Sequence, residues 1–171
     1  RDSGAGPNAG VVFGADGALY GTTINDGPHR AGTLFRLALD GTFTVLHAFR
    51  ADTEGRPLQE TGARLLRARD GALYGTLGLE GPNQCGSAYR LDATGAFTLL
   101  HVFTDADGIG CSPSGGLVEA PDGSLLGTAQ FGGPSGGAGS GTVFRMDAAG
   151  TASLVHAFER QRQGARPMGG V

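Results

Sequence analysis

The chain has 171 residues, of which 33 are glycine and 8 are proline, and 39% of its residues are hydrophobic. Its formal net charge is −3 and its basic residues are scattered, so it offers no basic face for nucleic acid or for an anionic membrane surface. It contains no run of about 18 apolar residues, so no membrane-spanning segment is predicted. Apolar residues recur in short runs between glycines, which indicates strands joined by turns rather than disorder.

In chain order, the first fifty residues contain four short apolar segments, which read GVVFG, ALYGTTI, TLFRLA and FTVLHAF. Asp16-Gly17 separates the first two segments, and Asp40-Gly41 separates the last two. Asp-Gly is a strong hairpin signal because both residues tolerate the positive φ angles of tight turns. The four segments therefore predict two linked β-hairpins.

The same pattern then occurs twice more along the chain. DGALYGT or its variant DGSLLGT starts at Asp16, Asp70 and Asp122. A second block, which reads GTLFRL, GSAYRL or GTVFRM, starts at Gly32, Gly86 and Gly141. Tandem four-stranded antiparallel units of this length predict an all-β fold made of β-propeller blades. A β-solenoid is the alternative, but its coils are usually much shorter than this repeat.

The repeat phase predicts one repeat domain over 1–171, with blades at about 8–60, 61–114 and 115–168. Residues 169–171 repeat the opening of the pattern and are expected to start a fourth copy. Three blades form only a partial ring, because propellers typically have four to eight. Three completions remain open: a homodimer with six blades, further repeats of the same polypeptide, or an arc capped by another protein.

The order of these motifs resembles the GloVer tandem repeat, in which DG-x-LYGTT, a glycine-rich segment, GTVFKL and T-x-L-x-x-F follow one another. The resemblance covers all three copies and implies a propeller-like fold in a secreted or surface-anchored bacterial protein. It brings no established activity and no catalytic residues. The sequence departs from the pattern at His47, His101 and His156, where an aromatic residue or serine is common, and it shows no anchor.

The two cysteines, Cys85 and Cys111, are expected at the start and the end of one hairpin of the second copy. Those two points come together on one rim of a blade, so a disulfide is predicted, and two free thiols are the alternative. A bridge would favour an oxidising compartment, in agreement with an extracellular or cell-surface location. With only two cysteines, a zinc ribbon or an attached haem is not supported.

Most of the repeated polar residues have structural interpretations. The three histidines share one position on the outermost strand of each blade, too far apart to bind one ion, so packing is predicted and no metal or other cofactor. Three arginines on the third strand are expected to pair with acids a few residues later, and the aspartates of the DG motifs are expected to cap their turns. The pairs are Arg36 with Asp40, Arg90 with Asp92, and Arg145 with Asp147.

No GxSxG, SxxK or HExxH motif is present, so no catalytic residue is predicted. The glycine-rich GGPSGGAGSG from Gly132 lacks the Lys-Ser or Lys-Thr of a phosphate loop and is predicted to join two strands. In a repeat scaffold, function usually lies where the copies diverge. Phe13, Arg67 and Glu119 share one position on the strand that lines the channel, and the loops containing His29, Asn83 and 135–140 also diverge.

These positions are the candidate ligand-binding residues. The sequence predicts a non-enzymatic extracellular module that binds protein or glycan at the propeller rim. One alternative is a self-assembling subunit of a surface layer or filament. The other is a glycan lyase or hydrolase with its site at the channel, which would need convergent acids or a histidine near the axis.

Overall fold

A computed structural model describes residues 2–7, 9–57, 64–78, 80–133, 139–159 and 167. These residues form three antiparallel sheets, one for each sequence repeat, with one short 3-10 helix over Asp105–Asp107. The predicted all-β architecture of repeated hairpins is confirmed. Within the described residues, no helix is both long enough and apolar enough to span a bilayer.

The strands follow the chain in three groups. The first sheet contains β1 (Ala5–Pro7), β2 (Val12–Phe13), β3 (Leu19–Asn25), β4 (Thr33–Leu37) and β5 (Phe43–Ala48). The second sheet contains β6 (Leu66–Arg67), β7 (Leu73–Leu77), β8 (Ser87–Leu91) and β9 (Phe97–Val102). The third sheet contains β10 (Cys111–Pro113), β11 (Val118–Glu119), β12 (Leu125–Phe131), β13 (Thr142–Met146) and β14 (Ala152–Ala157).

The first strand of the repeat differs from the prediction, because it is broken into two short pieces. In the first sheet, β1 and β2 both pair with β3, where Pro7 lies opposite Thr23 and Val12 opposite Tyr20. From the first of these pairs to the second, the broken strand advances five residues and β3 only three, so the pairing between them is irregular. In the third sheet, β10 and β11 pair with β12 in the same way.

The broken strand affects where each sheet begins. Strands β1 and β10 precede residues 8 and 115, the predicted starts of the first and third blades. In the second sheet, the Gly78 amide donates to the Arg56 carbonyl at 2.9 Å, on the side where β1 and β10 lie in the other sheets. In the first and third sheets, the predicted start of the blade therefore falls between the two pieces of the first strand. Residues 169–171, the predicted start of a fourth copy, lie outside the described residues.

The Asp-Gly turns form as the sequence predicts. In each copy, the aspartate side chain accepts a hydrogen bond from the amide two residues later, at 3.2 Å for Asp16, 2.9 Å for Asp70 and 3.0 Å for Asp122. The following glycine has a positive φ, between 74° and 84°. This Asx-turn geometry joins the first strand to the second in each sheet.

Adjacent sheets pack face to face and bury two separate hydrophobic clusters. One cluster, between the first and second sheets, includes Leu34, Phe49 and Tyr89. The other, between the second and third sheets, includes Phe103 and Phe144. Both faces of the middle sheet are therefore covered, which places the core between repeats rather than within one repeat.

The first strands of neighbouring sheets lie close together. Strands β2 and β6 are in contact, and the Arg69 amide beyond β6 donates to Glu119 of β11 at 2.9 Å. Strands β5, β9 and β14 lie at the opposite edges of their sheets. The broken first strands thus form the inner edge of the array, and the fourth strands form its outer edge.

Candidate functional site

The inner edge brings the three divergent residues Phe13, Arg67 and Glu119 onto neighbouring strands. The Phe13 ring is 57% exposed, and Arg67 is also exposed. Glu119 is half-buried, and its carboxylate accepts a hydrogen bond from the backbone amide of Arg69. The guanidinium of Arg69 donates to the Pro121 carbonyl at 3.1 Å. The edge therefore presents an aromatic ring and a cation to solvent, and it uses its carboxylate to join two sheets.

Arg64 is an inner-edge residue that was not among the predicted ligand-binding positions. It lies between Gly10 and Gly116, which occupy the same repeat position in the other copies. A Cβ on Gly10 would lie 3.4 Å from Nε of Arg64, and one on Gly116 would lie 3.2 Å from the Arg64 carbonyl oxygen. The exposed Arg64 side chain therefore lies across the glycine backbone of the preceding repeat. Its signal in the sequence is a long cation where both equivalent residues are glycine.

Arg36 lies on the same rim as the DG turns, and its partner differs from the prediction. Arg36 Nε donates to Asp16 Oδ2 at 2.7 Å, and the Tyr20 hydroxyl donates to the same oxygen at 3.2 Å. Asp40, the expected partner, instead accepts from the Thr42 amide at 2.8 Å. The antiparallel register explains the change, because Tyr20 lies directly opposite Arg36 and brings the Asp16 turn within reach.

The other two copies repeat this arrangement. Arg90 Nη2 donates to Asp70 Oδ2 at 3.3 Å, and the expected partner Asp92 also forms an ion pair, with its Oδ2 4.0 Å from Arg90 Nη1. Arg145 pairs with Asp122 instead of the expected Asp147. Each DG aspartate therefore has two roles, since one oxygen caps the turn and the other binds the arginine.

Hydrogen bonding determines the ionisation of the DG aspartates. Burial opposes the charged form of Asp70, but hydrogen bonds from the Ala72 amide, Tyr74 and Arg90 outweigh it and lower the pKa of this carboxyl. The same balance lowers the pKa of Asp16. Desolvation raises the pKa of the Tyr74 hydroxyl, which therefore remains a donor. These carboxylates are stabilised as anions and are poorly suited to act as general acids near neutral pH.

Two of the three repeated histidines, His47 and His101, pack between sheets as predicted, whereas His156 is exposed. His47 stacks on Phe97 of the second sheet with ring centroids 3.7 Å apart, and its Nε2 lies 2.9 Å from Glu54 Oε2. The Nδ1 atom of His101 lies 3.2 Å from the Gly150 carbonyl oxygen of the third sheet. Among the described residues, no cluster of three metal-ligand side chains includes a histidine.

The structure contains the predicted disulfide between Cys85 and Cys111, but it joins different elements from those expected. Cys85 precedes β8 of the second sheet, and Cys111 opens β10 of the third. The bond therefore links neighbouring sheets instead of closing one hairpin within a blade. Asp105 Oδ1 lies 3.1 Å from Cys111 Sγ. In the described residues these three side chains form one metal-ligand cluster, but the disulfide occupies both sulfur atoms.

The loops opposite the DG turns contain the remaining candidate residues. Asn83 is exposed and lines an open groove of about 510 Å³, which the disulfide, Gln84, Asp105 and Phe131 also border. His29 is exposed on the equivalent loop of the first sheet and does not line this groove. Of the predicted loop 135–140, residues 135–138 lie outside the described residues. The structure thus places the candidates on two surfaces, the inner edge and the loop rim.

Comparison with known proteins identifies the architecture. The sequence-family model of the Gloeobacter/Verrucomicrobia repeat matches residues 1–171. The crystal structure of selenomethionine-substituted virginiamycin B lyase from Staphylococcus aureus has a TM-score of 0.57 and 18% identity, covering 99% of this chain and 45% of that one. The X-ray structure of a putative gluconolactonase has a TM-score of 0.52 and 17% identity, covering 86% of this chain and 48% of that one. No curated protein matches the sequence.

Both structures are β-propeller proteins, so the predicted propeller class is confirmed. At this level of identity, the similarity shows the fold alone. This chain spans less than half the length of either protein.

Proposed function

Since the chain belongs to the Gloeobacter/Verrucomicrobia repeat family, we propose that it is a non-catalytic binding module of an extracellular protein. Its partner is a protein or a glycan, which it contacts through the inner edge and the adjoining rim. The proposal depends on one observation: the copies share their turn and packing residues and diverge where side chains reach solvent.

The inner-edge position shows this divergence most clearly. The residue just before it on the strand is apolar in all three copies, whereas this position holds Phe13, Arg67 and Glu119 in turn. Packing does not require an aromatic ring that is 57% exposed. Exposed aromatic rings and arginines are the side chains that contribute most at binding surfaces. A cation and a ring on adjacent strands can contact both the polar groups and the apolar faces of a sugar or a peptide.

The disulfide supports the extracellular part of the proposal. Cys85 and Cys111 are bonded, and among the described residues there is no free cysteine. Disulfides form and persist in oxidising compartments. The glycan lyase or hydrolase alternative is not favoured by any described arrangement, because the DG aspartates are bound to arginines and two of the histidines pack between sheets.

The test is binding of the fluorescently labelled chain to bacterial cell-envelope fragments. Fragments are used untreated, after periodate oxidation of their glycans, or after protease digestion of their proteins. We expect saturable binding that one of the two treatments abolishes, which distinguishes a glycan from a protein partner. A chain that binds neither untreated nor treated fragments would contradict the proposal.

Three variants localise the surface. Phe13→Ala and Arg67→Ala each remove an exposed inner-edge side chain and are expected to weaken binding about tenfold, which corresponds to about 1.4 kcal/mol. Leu39→Ala is the matched control, because Leu39 is 76% exposed in an outer turn and is a large apolar side chain that takes no part in the inner edge. Equal affinity of all three variants and the unmodified chain would place binding elsewhere.

A further inference from the structure

The first sheet has one face that no other described element covers. Phe35 and Phe43 stack on this face with ring centroids 5.2 Å apart. With Leu37, they border an apolar groove of about 400 Å³. The Phe43 side chain is 44% exposed. We call the face formed by Leu19, Phe35, Leu37 and Phe43 the entry face.

The second sheet shows what covers such a face when a neighbour is present. The strand register makes Tyr89 and Phe97 equivalent to Phe35 and Phe43. Their rings stack in the same way, with centroids 5.3 Å apart. Here the first sheet covers them, since His47 lies 3.7 Å from the Phe97 ring and Phe49 lies 5.5 Å from the Tyr89 ring, centroid to centroid. An entry face is therefore shaped to receive a histidine and a phenylalanine from the end of a fourth strand.

The third sheet carries the equivalent two residues on the face that no other described element covers. His156 and Phe158 occupy the positions of His47 and Phe49, and their rings lie 5.2 Å apart. Phe49 is fully buried, whereas Phe158 is only half-buried. Val155 on the same side is 55% exposed. We call the face formed by Val143, Val155, His156 and Phe158 the exit face.

We propose that two copies of the chain dock head to tail, with the exit face of each copy on the entry face of the other. Each contact then repeats the interface that the first and second sheets already form within one chain, with His156 over Phe43 as His47 lies over Phe97. The two faces are unlike, so each contact is heterologous, and the pair closes by two-fold rotation about the ring axis.

A second copy fits these faces better than an unrelated partner. It supplies the side chains that the repeat uses to cover this face, and it covers both open faces at once. Two copies together contain six sheets, a number within the four to eight blades of known propellers. The inference concerns the ends of the array and does not depend on binding at the inner edge.

The first experiment measures the mass of the full 171-residue chain in solution by light scattering, at about 100 µM and at tenfold dilutions, a range suited to a micromolar Kd. We expect twice the mass of one chain at the highest concentration. Phe43→Glu on the entry face and Val155→Glu on the exit face should each reduce the mass to that of one chain. Leu39→Glu, which introduces the same charge at an exposed apolar residue outside both faces, should leave the doubled mass unchanged.

Mixing the variants tests the head-to-tail arrangement. The Phe43→Glu chain keeps its exit face and the Val155→Glu chain keeps its entry face, so an equimolar mixture should form a pair through one intact contact. Contact between two entry faces would give no such recovery. Circular dichroism checks that both variants fold, which is expected because both side chains are partly exposed in the single chain.

Cross-linking tests closure of the ring. In the Phe43→Cys/His156→Cys chain, oxidation should give a covalent pair and no longer products, whereas each single variant should give none. A ladder of higher oligomers would show an open filament, and cross-linking of Phe43→Cys alone would show pairing of entry faces. Either result would overturn the proposal, as would a single-chain mass for the unmodified protein at every concentration.

Discussion

Replacement of Phe103 by alanine should be among the most destabilising single changes in the chain. Phe103 is completely buried between the second and third sheets, with its ring centroid 5.0 Å from that of Phe144 and 4.7 Å from that of His101. Removal of a buried phenylalanine forfeits about 1.5–3 kcal/mol of transfer free energy. The lost edge-to-face contacts add about 1 kcal/mol, and the residual cavity brings the total to about 4 kcal/mol.

Urea unfolding monitored by circular dichroism, at one protein concentration, measures the change in the free energy of unfolding. Phe49→Ala, at the equivalent buried position between the first and second sheets, should cost a similar amount. Phe13→Ala is the matched control, since its 57% exposed ring should cost no more than about 0.5 kcal/mol. If Phe103→Ala destabilised the protein no more than Phe13→Ala, face-to-face packing of successive sheets would be refuted.

Three further predictions concern the disulfide, pH and a glycine. Reductant should lower the unfolding free energy of the unmodified chain by about 3.5 kcal/mol, because the bond closes a loop with a sequence separation of 26, and should not affect the Cys85→Ser/Cys111→Ser variant. The pKa of Asp70 is lower in the folded chain than the unfolded pKa of about 3.9, so this carboxylate stabilises the fold at higher pH, and its contribution is lost as the pH falls through the folded pKa. In acid titrations between neutral pH and pH 3, the Asp70→Asn variant should therefore lose less stability than the unmodified chain. An unchanged profile would contradict this assignment. Gly86→Ala should lower the free energy of unfolding in urea far more than Gly71→Ala. Both glycines have φ near 80°, but only a Cβ on Gly86 would overlap backbone atoms. Equal losses of stability would exclude this steric cause.

The repeat pattern predicts much of the fold because hairpins are local structures. The Asp-Gly pairs mark the turns, and the apolar segments between them correspond to β3, β4 and β5 and their repeats. The broken first strand was not predicted, because β1 lies in a segment with little apolar alternation and pairs with β3 across a loop. Its two pieces become evident only from the register, in which Pro7 and Val12 face Thr23 and Tyr20.

Contacts between elements were harder to predict than the elements themselves. Proximity in sequence favoured Asp40 as the partner of Arg36, whereas strand pairing brings Asp16 closer. The cysteine pairing was predicted correctly, but the relation between the two sheets was not, because Cys111 already belongs to the third sheet. Arg64 was missed because its position depends on how neighbouring inner edges meet. The divergent residues Phe13, Arg67 and Glu119 could be found, since they stand out against a strict repeat.

The central claim is that the three sheets are blades arranged around an axis, with their first strands innermost. Spin-label distance measurements test it directly on two double-cysteine variants, each diluted with unlabelled chain. One variant carries labels at Phe13 and Glu119 on the inner strands, and the other at the equivalent exposed residues Thr44 and Ser153 on the outer strands. Blades around an axis predict a clearly shorter distance for the inner pair than for the outer pair, whereas equal distances would show sheets stacked in a straight column and would contradict the account.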